Sequence, residues 1–258
     1  MRASQAHSRV DAVVEPLFFA AIGKDTLVGS TFVLGGPEAK HAVGVRRMIP
    51  GEAIAISDGS GLKIRGKLSK VGKDTLEMSV ESVELVPAPS VRLHLVQALA
   101  KGDRDELAIQ ACTELGVYGV IPWQADRSIS IWKDDKKIKG QTRWQTIVTE
   151  AAKQSLRAFA PSVEVVQNSQ ELISRLSDFD SVMILDPEAK TSINQASIPS
   201  SGSIAIVVGP EGGISDSELE AFASAGFTSV RLGAGVLRTS TAGMAAVSYL
   251  QAKLGDWN

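Results

Sequence analysis

The sequence contains a single cysteine, Cys112, among its 258 residues. One cysteine excludes an intramolecular disulfide framework and a zinc site built from cysteine thiolates. The three histidines, His7, His41 and His94, are far apart along the chain, so a histidine-ligated metal site is not expected either. We therefore expect a protein that binds no metal.

Long apolar runs are missing as well. No stretch reaches the roughly 18 consecutive apolar residues that indicate a membrane span, and residues 1–11 lack the apolar segment of a secretory signal. With 44% hydrophobic and 22% charged residues, the chain has the composition of a globular protein with one large or two modest domains. We expect it to be cytoplasmic and not bound to a membrane.

The net charge of −2, from 27 basic and 29 acidic residues, provides no overall attraction to nucleic acid. Its distribution is uneven, because residues 127–157 contain 8 basic and 3 acidic residues. Such a basic stretch is typical of a phosphate-facing surface. It is equally typical of a solvated helix face with lysine-rich flanks, and the residues alone do not decide between the two.

The N-terminal third has the pattern of a small β-barrel or curled sheet. Residues 52–58, 62–70 and 74–86 alternate apolar and polar side chains, as half-buried strands do. The turn cluster Asp58-Gly59-Ser60-Gly61 separates the first two of these strands. Pro87-Ala88-Pro89 reads as a stiff linker. We predict a first domain over residues 1–88.

Beyond this linker, strands alternate with helices. The predicted strands are residues 91–99, 120–123, 181–186, 203–209 and 228–232, and the predicted helices are 103–115, 142–159 and 239–254. Ser215 and Glu218 form a capping-box pattern that begins a further helix. This alternation predicts an α/β domain over residues 89–258 with a mainly parallel sheet, within a chain that is α+β overall.

Two nucleotide-binding patterns fail on inspection. Residues 61–67 match the start of a phosphate-binding P-loop, but Leu68 stands where a magnesium-binding Ser or Thr is required, and the segment alternates like a strand. Gly233-Ala234-Gly235 follows a strand and precedes a helix, but Arg238 occupies the position of the third glycine of a dinucleotide-binding loop.

Two glycine-rich loops remain, and each follows a buried strand. The first is Gly209-Pro210-Glu211-Gly212-Gly213, and the second spans residues 232–242. Ligands of open α/β sheets bind outside the carboxyl ends of the strands, which is where both loops are expected. Two tight turns would explain the glycines but not the charged residues Glu211 and Arg238, so we predict a small-molecule site.

The first loop and Leu237-Arg238-Thr239-Ser240-Thr241-Ala242 resemble the GPEGG and LRTxTA signatures of the SPOUT (trefoil-knot) methyltransferases. In particular, they resemble the ribosomal RNA small subunit methyltransferase E family, which methylates N3 of a uridine in 16S ribosomal RNA. Other segments resemble this family over nearly the whole chain: HAVGVRRM (41–48), KGDR (101–104), ACTELG (111–116), DRS (126–128) and EAAKQSLR (150–157). The sequence departs from the pattern at Ala234-Gly235, at Ser240 and in its first strand, residues 14–19.

The resemblance implies a PUA-like β-barrel followed by a SPOUT α/β trefoil-knot domain that binds S-adenosyl-L-methionine. The residues implied to bind this cofactor are Leu185, Asp186, Pro187, Gly209, Pro210, Glu211, Gly212, Gly213, Leu232, Gly233, Leu237, Arg238, Thr239, Thr241 and Ala242.

The resemblance also leads to two candidate catalytic residues, since removal of the uracil N3 proton builds negative charge that a cation would stabilise. Arg238 is the candidate for this cation, or alternatively forms a structural ion pair with Glu211. Glu211 is a candidate base, or alternatively a hydrogen-bond acceptor for loop amides.

RNA contacts are predicted at Arg46, Arg47, Arg127, Glu150, Gln154 and Arg157, the last three on one helix face. The expected partner is 16S ribosomal RNA within the small subunit. A homodimer is implied by the resemblance, with Met244, Val247, Tyr249 and Leu250 forming either its interface or part of the core.

Overall fold

The computed structural model describes residues 15–255. The segment predicted to lack a secretory signal, residues 1–11, lies outside the described residues. The described chain forms two compact units, one containing residues 15–58 together with 62–85, and the other containing residues 59–61 together with 86–255.

The first unit contains a five-stranded sheet and one helix. Its elements are β1 (Leu17–Phe19), β2 (Thr31–Gly35), α1 (Gly36–Gly44), β3 (Ala53–Ser57), β4 (Leu62–Val71) and β5 (Thr75–Leu85). The sheet order is β1-β3-β4-β5-β2, with β4 antiparallel to both of its neighbours. The three strands predicted from alternation correspond to β3, β4 and β5. The helix α1 was not predicted.

The core of the first unit follows from this alternation. Ile54, Ile56 and Ile64 are buried on the inner face, whereas Arg65 and Lys67 on β4 are exposed. The segment that resembles the start of a P-loop lies mostly in β4, so its rejection as a phosphate-binding loop is confirmed.

The second unit is an α/β sandwich. Its elements are β6 (Val91–Ala98), α2 (Arg104–Leu115), β7 (Gly119–Gln124), α3 (Asp135–Gln154), β8 (Ser162–Val163), β9 (Gln167–Asn168), α4 (Ser169–Leu176), β10 (Ser181–Leu185), a 3₁₀ helix (Ile193–Gln195), β11 (Gly202–Val208), α5 (Asp216–Ser224), β12 (Thr228–Val230) and α6 (Thr239–Leu254). The strands are parallel in the order β12-β10-β11-β6-β7-β8, and β9 pairs with β7.

Apolar side chains leave both faces of this sheet. On β10, Met183 and Leu185 join a core with α2, α3 and α6, whereas Val182 and Ile184 join a second core with α4 and α5. Continuous apolar runs are typical of parallel strands buried on both sides. None of the helices within residues 15–255 is long and apolar enough to cross a membrane.

Helix α3 differs most from its prediction. It runs from Asp135 to Gln154 rather than over residues 142–159. The helix ends early because Leu156 has φ = 58°, a left-handed conformation that ends a helix. The helix also begins earlier than predicted, because the lysine-rich sequence before residue 142 gave no sign of its start. Helix α4 was not predicted, although Asn168 and Glu171 form its capping box.

Candidate active site

Three loops meet at one edge of the second unit's sheet. Leu185, the last residue of β10, pairs in register with Val208 at the end of β11 and with Val230 at the end of β12. Because the three strands are parallel neighbours, the chain leaves all of them at the same edge. The predicted meeting of the two glycine-rich loops at this edge is therefore confirmed.

These loops surround a cavity of about 770 Å³, within the size range of small-molecule sites. Its wall includes every residue predicted to bind a cofactor except Gly212 and Thr241. The Gly212 carbonyl instead accepts a hydrogen bond from Arg127, and the Thr241 hydroxyl donates to the Arg238 carbonyl at 3.2 Å.

The first glycine-rich loop is held by the backbone amide of Lys101 and by the side chains of Arg104 and Arg127. Glu211 Oε1 accepts a hydrogen bond from the Lys101 backbone amide at 3.0 Å and one from Arg104 Nη1 at 2.8 Å. Arg127 Nη1 donates to the carbonyls of Gly212 and Ile214, both at 3.3 Å. This loop therefore has a defined position before any ligand binds.

Glu211 is better suited to accept hydrogen bonds than to remove a proton. Burial acts to raise its pKa, but hydrogen bonds from its own amide and from Lys101 and Arg104 outweigh burial and lower the pKa below its usual value. A carboxylate with a lowered pKa is a weak base. The alternative of an Arg238–Glu211 ion pair is wrong, because Glu211 pairs with Arg104.

The second loop contrasts with the first. Within residues 15–255, no backbone amide or carbonyl from Leu232 to Leu237 makes a hydrogen bond, and Val236 is 78% exposed. Arg238, the residue immediately before α6, lines the cavity and is exposed, and its side chain has no hydrogen-bond or ion-pair partner in the same range. Its guanidinium is therefore available to a ligand.

The predicted RNA-contacting residues are distributed unevenly. Arg46 and Arg47 are exposed in the first unit, and Arg47 has φ = 54°, a left-handed conformation that is uncommon for a residue with a side chain. Arg127 lines the cavity in the second unit. These three guanidinium groups remain candidates for phosphate contact.

The prediction that Glu150, Gln154 and Arg157 share one helix face is wrong, because α3 ends at Gln154. Arg157 instead donates to the carbonyls of Gly116 and Val117 at 3.1 and 3.4 Å, just beyond the end of α2. Burial lowers its pKa. Arg157 therefore supports the fold, Glu150 pairs with Lys153, and Gln154 is exposed.

The C-terminal helix is largely core. Val247 and Leu250 are fully buried within the second unit, so the alternative that placed them at a dimer interface is wrong. Met244 and Tyr249 are only partly buried.

Residues 97–105, for which no role in the site was predicted, are brought to the site by the fold. Arg104 lines the cavity, and Gln97 donates to Thr239 at 2.9 Å. Asp105 is 4% exposed and accepts from the Ala100 amide at 3.0 Å, and burial raises its pKa to about 6. The sequence signal that could have identified these residues is their position at the carboxyl end of β6 and directly after it, because β6 is the sheet neighbour of β11.

Within the described part of the chain, no group of three or more His, Cys, Asp or Glu residues could hold a metal ion. The cavity wall instead combines apolar side chains such as Leu185, Val208 and Leu237 with backbone groups and three arginines. This composition is suited to an organic ligand of mixed polarity.

Family models match both units. The model of an RNA methyltransferase domain matches residues 87–251, and that of an RNA methyltransferase PUA domain matches residues 34–81. Ribosomal RNA small subunit methyltransferase E of Mycobacterium bovis is 37% identical over 250 residues, which cover 95% of each chain. The Bacillus subtilis protein of the same name is 35% identical over 232 residues, 85% of this chain and 89% of the relative.

Solved structures of methyltransferases are similar to this chain over nearly its whole length. Ribosomal RNA small subunit methyltransferase E from Neisseria gonorrhoeae, bound to S-adenosylmethionine, superimposes with a TM-score of 0.84 at 29% identity, covering 95% of this chain and all of that one. A Legionella pneumophila methyltransferase with bound S-adenosylmethionine gives a TM-score of 0.83 at 27% identity, covering 93% and 98%. The predicted fold class, a PUA-like domain joined to an α/β methyltransferase domain, is confirmed.

Proposed function

Because the chain belongs to the ribosomal RNA small subunit methyltransferase E family, we propose that it transfers a methyl group from S-adenosyl-L-methionine to N3 of a uridine in 16S ribosomal RNA. The observation that carries this proposal is the cavity of about 770 Å³ at the carboxyl ends of three parallel strands. Its wall contains a glycine-rich segment, residues 232–237, whose backbone groups make no hydrogen bonds within residues 15–255.

The cavity fits a nucleoside-containing cofactor. The unbonded amides and carbonyls of residues 232–237 would satisfy the polar edge of an adenine ring, since buried polar groups require partners. Leu185, Val208 and Leu237 would contact its apolar face. We assign cofactor binding to the predicted residues that line the cavity other than Arg238, and we retain Gly212 and Thr241 as residues that support the two loops.

Bound S-adenosylmethionine supplies an electrophilic methyl group on a sulfonium. The chain must then stabilise uracil after its N3 proton has left, because the neutral ring is a poor nucleophile. We assign this task to Arg238, which lines the cavity and whose guanidinium has no protein partner within residues 15–255. A cation at this position lowers the barrier by stabilising the charge that develops in the transition state.

Glu211 has a positioning role in this mechanism. Its carboxylate holds Arg104 and the Lys101 amide, and it thereby joins the first loop to the start of α2. The lowered pKa of Glu211 argues against its acting as the general base. The N3 proton of uracil would then leave to solvent or to a group other than Glu211 and Arg238.

The RNA partner is proposed to contact both units. Arg46 and Arg47 in the first unit and Arg127 in the second carry the exposed or cavity-facing guanidinium groups, and Glu150 and Gln154 provide polar groups on α3. Phosphate contacts of this kind orient the RNA without reading its sequence. Family resemblance further supports a homodimer that acts in the cytoplasm.

The test is to incubate the purified protein with labelled S-adenosylmethionine and small ribosomal subunits that lack the modification. Digestion to nucleosides and mass spectrometry should place the label in 3-methyluridine. Label in another nucleoside would overturn the proposed position of methylation. Cofactor binding without label on any small-subunit RNA would contradict the proposed substrate.

A second comparison addresses the form of the substrate. The net charge of −2 predicts weak binding to naked RNA, because affinity for nucleic acid rises with the number of phosphates neutralised. We expect higher activity on small subunits than on deproteinised 16S RNA. Equal activity on both would contradict this preference.

A further inference from the structure

A buried glutamine connects the two loops of the cavity. Gln97, near the end of β6, is fully buried. Its Nε2 donates to Thr239 Oγ1 at 2.9 Å and to the Ala98 carbonyl at 3.1 Å. The Thr239 hydroxyl in turn donates to the Gly209 carbonyl at 2.8 Å. The three residues thus form one continuous hydrogen-bonded relay.

The relay has only one possible direction. The Thr239 hydroxyl has a single proton, and it is given to Gly209, so this hydroxyl must accept a hydrogen bond from a donor at position 97. The side-chain amide of glutamine supplies that donor. A glutamate carboxylate would supply none when ionised, and leucine or methionine would supply none at all.

Thr239 and Gly209 belong to the cavity wall, whereas Gln97 does not. Gly209 begins the first glycine-rich loop, and Thr239, within the second, is the first residue of α6. A shift of either residue changes the distance between the two loops. Gln97 therefore contacts the cavity wall from behind, through its hydrogen bond to Thr239.

The amide oxygen of Gln97 shows that this arrangement has an energetic cost. Its Oε1 is buried and has no hydrogen-bond partner among the protein atoms of residues 15–255, which is unfavourable for a carbonyl oxygen. An apolar side chain of similar size would avoid this cost. It would also leave Thr239 without its donor, so a role in the site explains glutamine better than packing does.

We propose that Gln97 is a positioning residue for the methyl-transfer site, which holds Gly209 and Thr239 at the spacing that S-adenosylmethionine binding requires. This inference rests on the proposed function. It concerns a residue that touches neither cofactor nor RNA and acts only through Thr239.

The chain offers a matched control in Gln251 on α6. Gln251 is also buried, its Nε2 donates to a carbonyl, that of Leu115, at 3.1 Å, and its Oε1 also has no partner within residues 15–255. Gln251 does not line the cavity. Gln97→Leu and Gln251→Leu are therefore the same chemical change at two places. Gln97→Leu lies directly behind the cavity wall, and Gln251→Leu lies away from it.

Calorimetric titration with S-adenosylmethionine tests the proposal. We expect Gln97→Leu to weaken binding about tenfold, as loss of a buried hydrogen bond would, and Gln251→Leu to change the Kd less than about twofold. Thermal melting of the two variants should be lowered to a similar extent. Thr239→Val should match Gln97→Leu, Thr239→Ser should lose less affinity, and the double variant Gln97→Leu/Thr239→Val should bind no more weakly than either single variant.

Unchanged binding by Gln97→Leu would overturn the inference, and so would equal weakening by Gln251→Leu, which would indicate general loosening of the fold. Additive losses in the double variant would also overturn it, because they would mean that Gln97 acts on another target than Thr239. If the wild-type protein itself failed to bind S-adenosylmethionine, the proposed function would fall first and this inference with it.

Discussion

The two glycine-rich loops form the wall of the same cavity but are held in opposite ways. Carbonyls of the first loop accept hydrogen bonds from Arg127 and Thr239, and its Glu211 carboxylate accepts them from the Lys101 amide and Arg104. From Leu232 to Leu237 the second loop makes no hydrogen bond within the described range 15–255. One loop is thus organised before binding, which lowers the entropic cost of association, while the other keeps its backbone groups available for a ligand.

The largest effect is expected at the end of the second loop. Arg238→Gln should lower kcat roughly 100- to 1,000-fold, as removal of a donor to a developing negative charge does elsewhere, with little change in S-adenosylmethionine affinity. Single-turnover methylation and calorimetry measure the two effects separately. Arg143→Gln, a surface arginine paired with Glu106 outside the cavity, is the control. A parallel loss of cofactor affinity would assign Arg238 to cofactor binding instead.

Releasing the first loop should have the next largest effect. Glu211→Ala removes the acceptor of two hydrogen bonds, one of them from a charged group, and should lower kcat/KM roughly 10- to 100-fold. Glu211→Gln retains an acceptor and should lose less. The matched control is Glu106→Ala, which breaks the ion pair with Arg143 without touching the cavity.

The same pair of variants distinguishes a positioning role from that of a base. Because the pKa of Glu211 is lowered, its ionisation should not produce an acidic limb in the pH–rate profile near neutrality. If Glu211→Gln were as inactive as Glu211→Ala and removed such a limb, Glu211 would be the base.

Alanine at a glycine of each loop sharpens the contrast. A Cβ at Gly209 would lie 2.7 Å from Ile214 Cγ1, whereas one at Gly235 would have no neighbour within 4 Å. Gly209→Ala should therefore destabilise the fold by about 1–2 kcal/mol and weaken cofactor binding as well. Gly235→Ala should weaken cofactor binding without lowering the melting temperature. Equal melting temperatures for the two variants would show that the first loop is no more constrained than the second.

The smallest expected effect is on stability and concerns Asp105, which lies next to the residues that bind Glu211 of the first loop. The pKa of Asp105 is raised to about 6 by burial, so its folded form favours the proton and its contribution to stability is lost as pH rises through this value. Between pH 5 and pH 7 the wild-type protein should lose about 1 kcal/mol of unfolding free energy relative to Asp105→Asn. Urea denaturation at both pH values measures the difference, and parallel pH dependence of the two proteins would contradict it.

The fold and most of the cavity wall could be predicted from local sequence. Alternation predicted β3, β4 and β5, and the capping box at Ser215 and Glu218 was found as expected. The two glycine-rich loops were placed at the correct sheet edge because parallel strands share one direction. The prediction of one helix face for Glu150 and Arg157 was wrong because the left-handed backbone at Leu156 ends α3, and no glycine marks that position.

By itself the sequence determined the family, through the resemblance of its motifs. It also determined the two-part architecture and the loops that form the cavity, because these depend on periodicity, turn residues and order along the chain. Only the tertiary structure decided that Glu211 pairs with Arg104 rather than Arg238, and that Gln97 supports Thr239 across 142 residues of chain. These partnerships depend on which strands become neighbours in the sheet. The carboxyl end of β6 adjoins that of β11, and this adjacency brings residues 97–105 to the first loop although more than 100 residues of chain separate them.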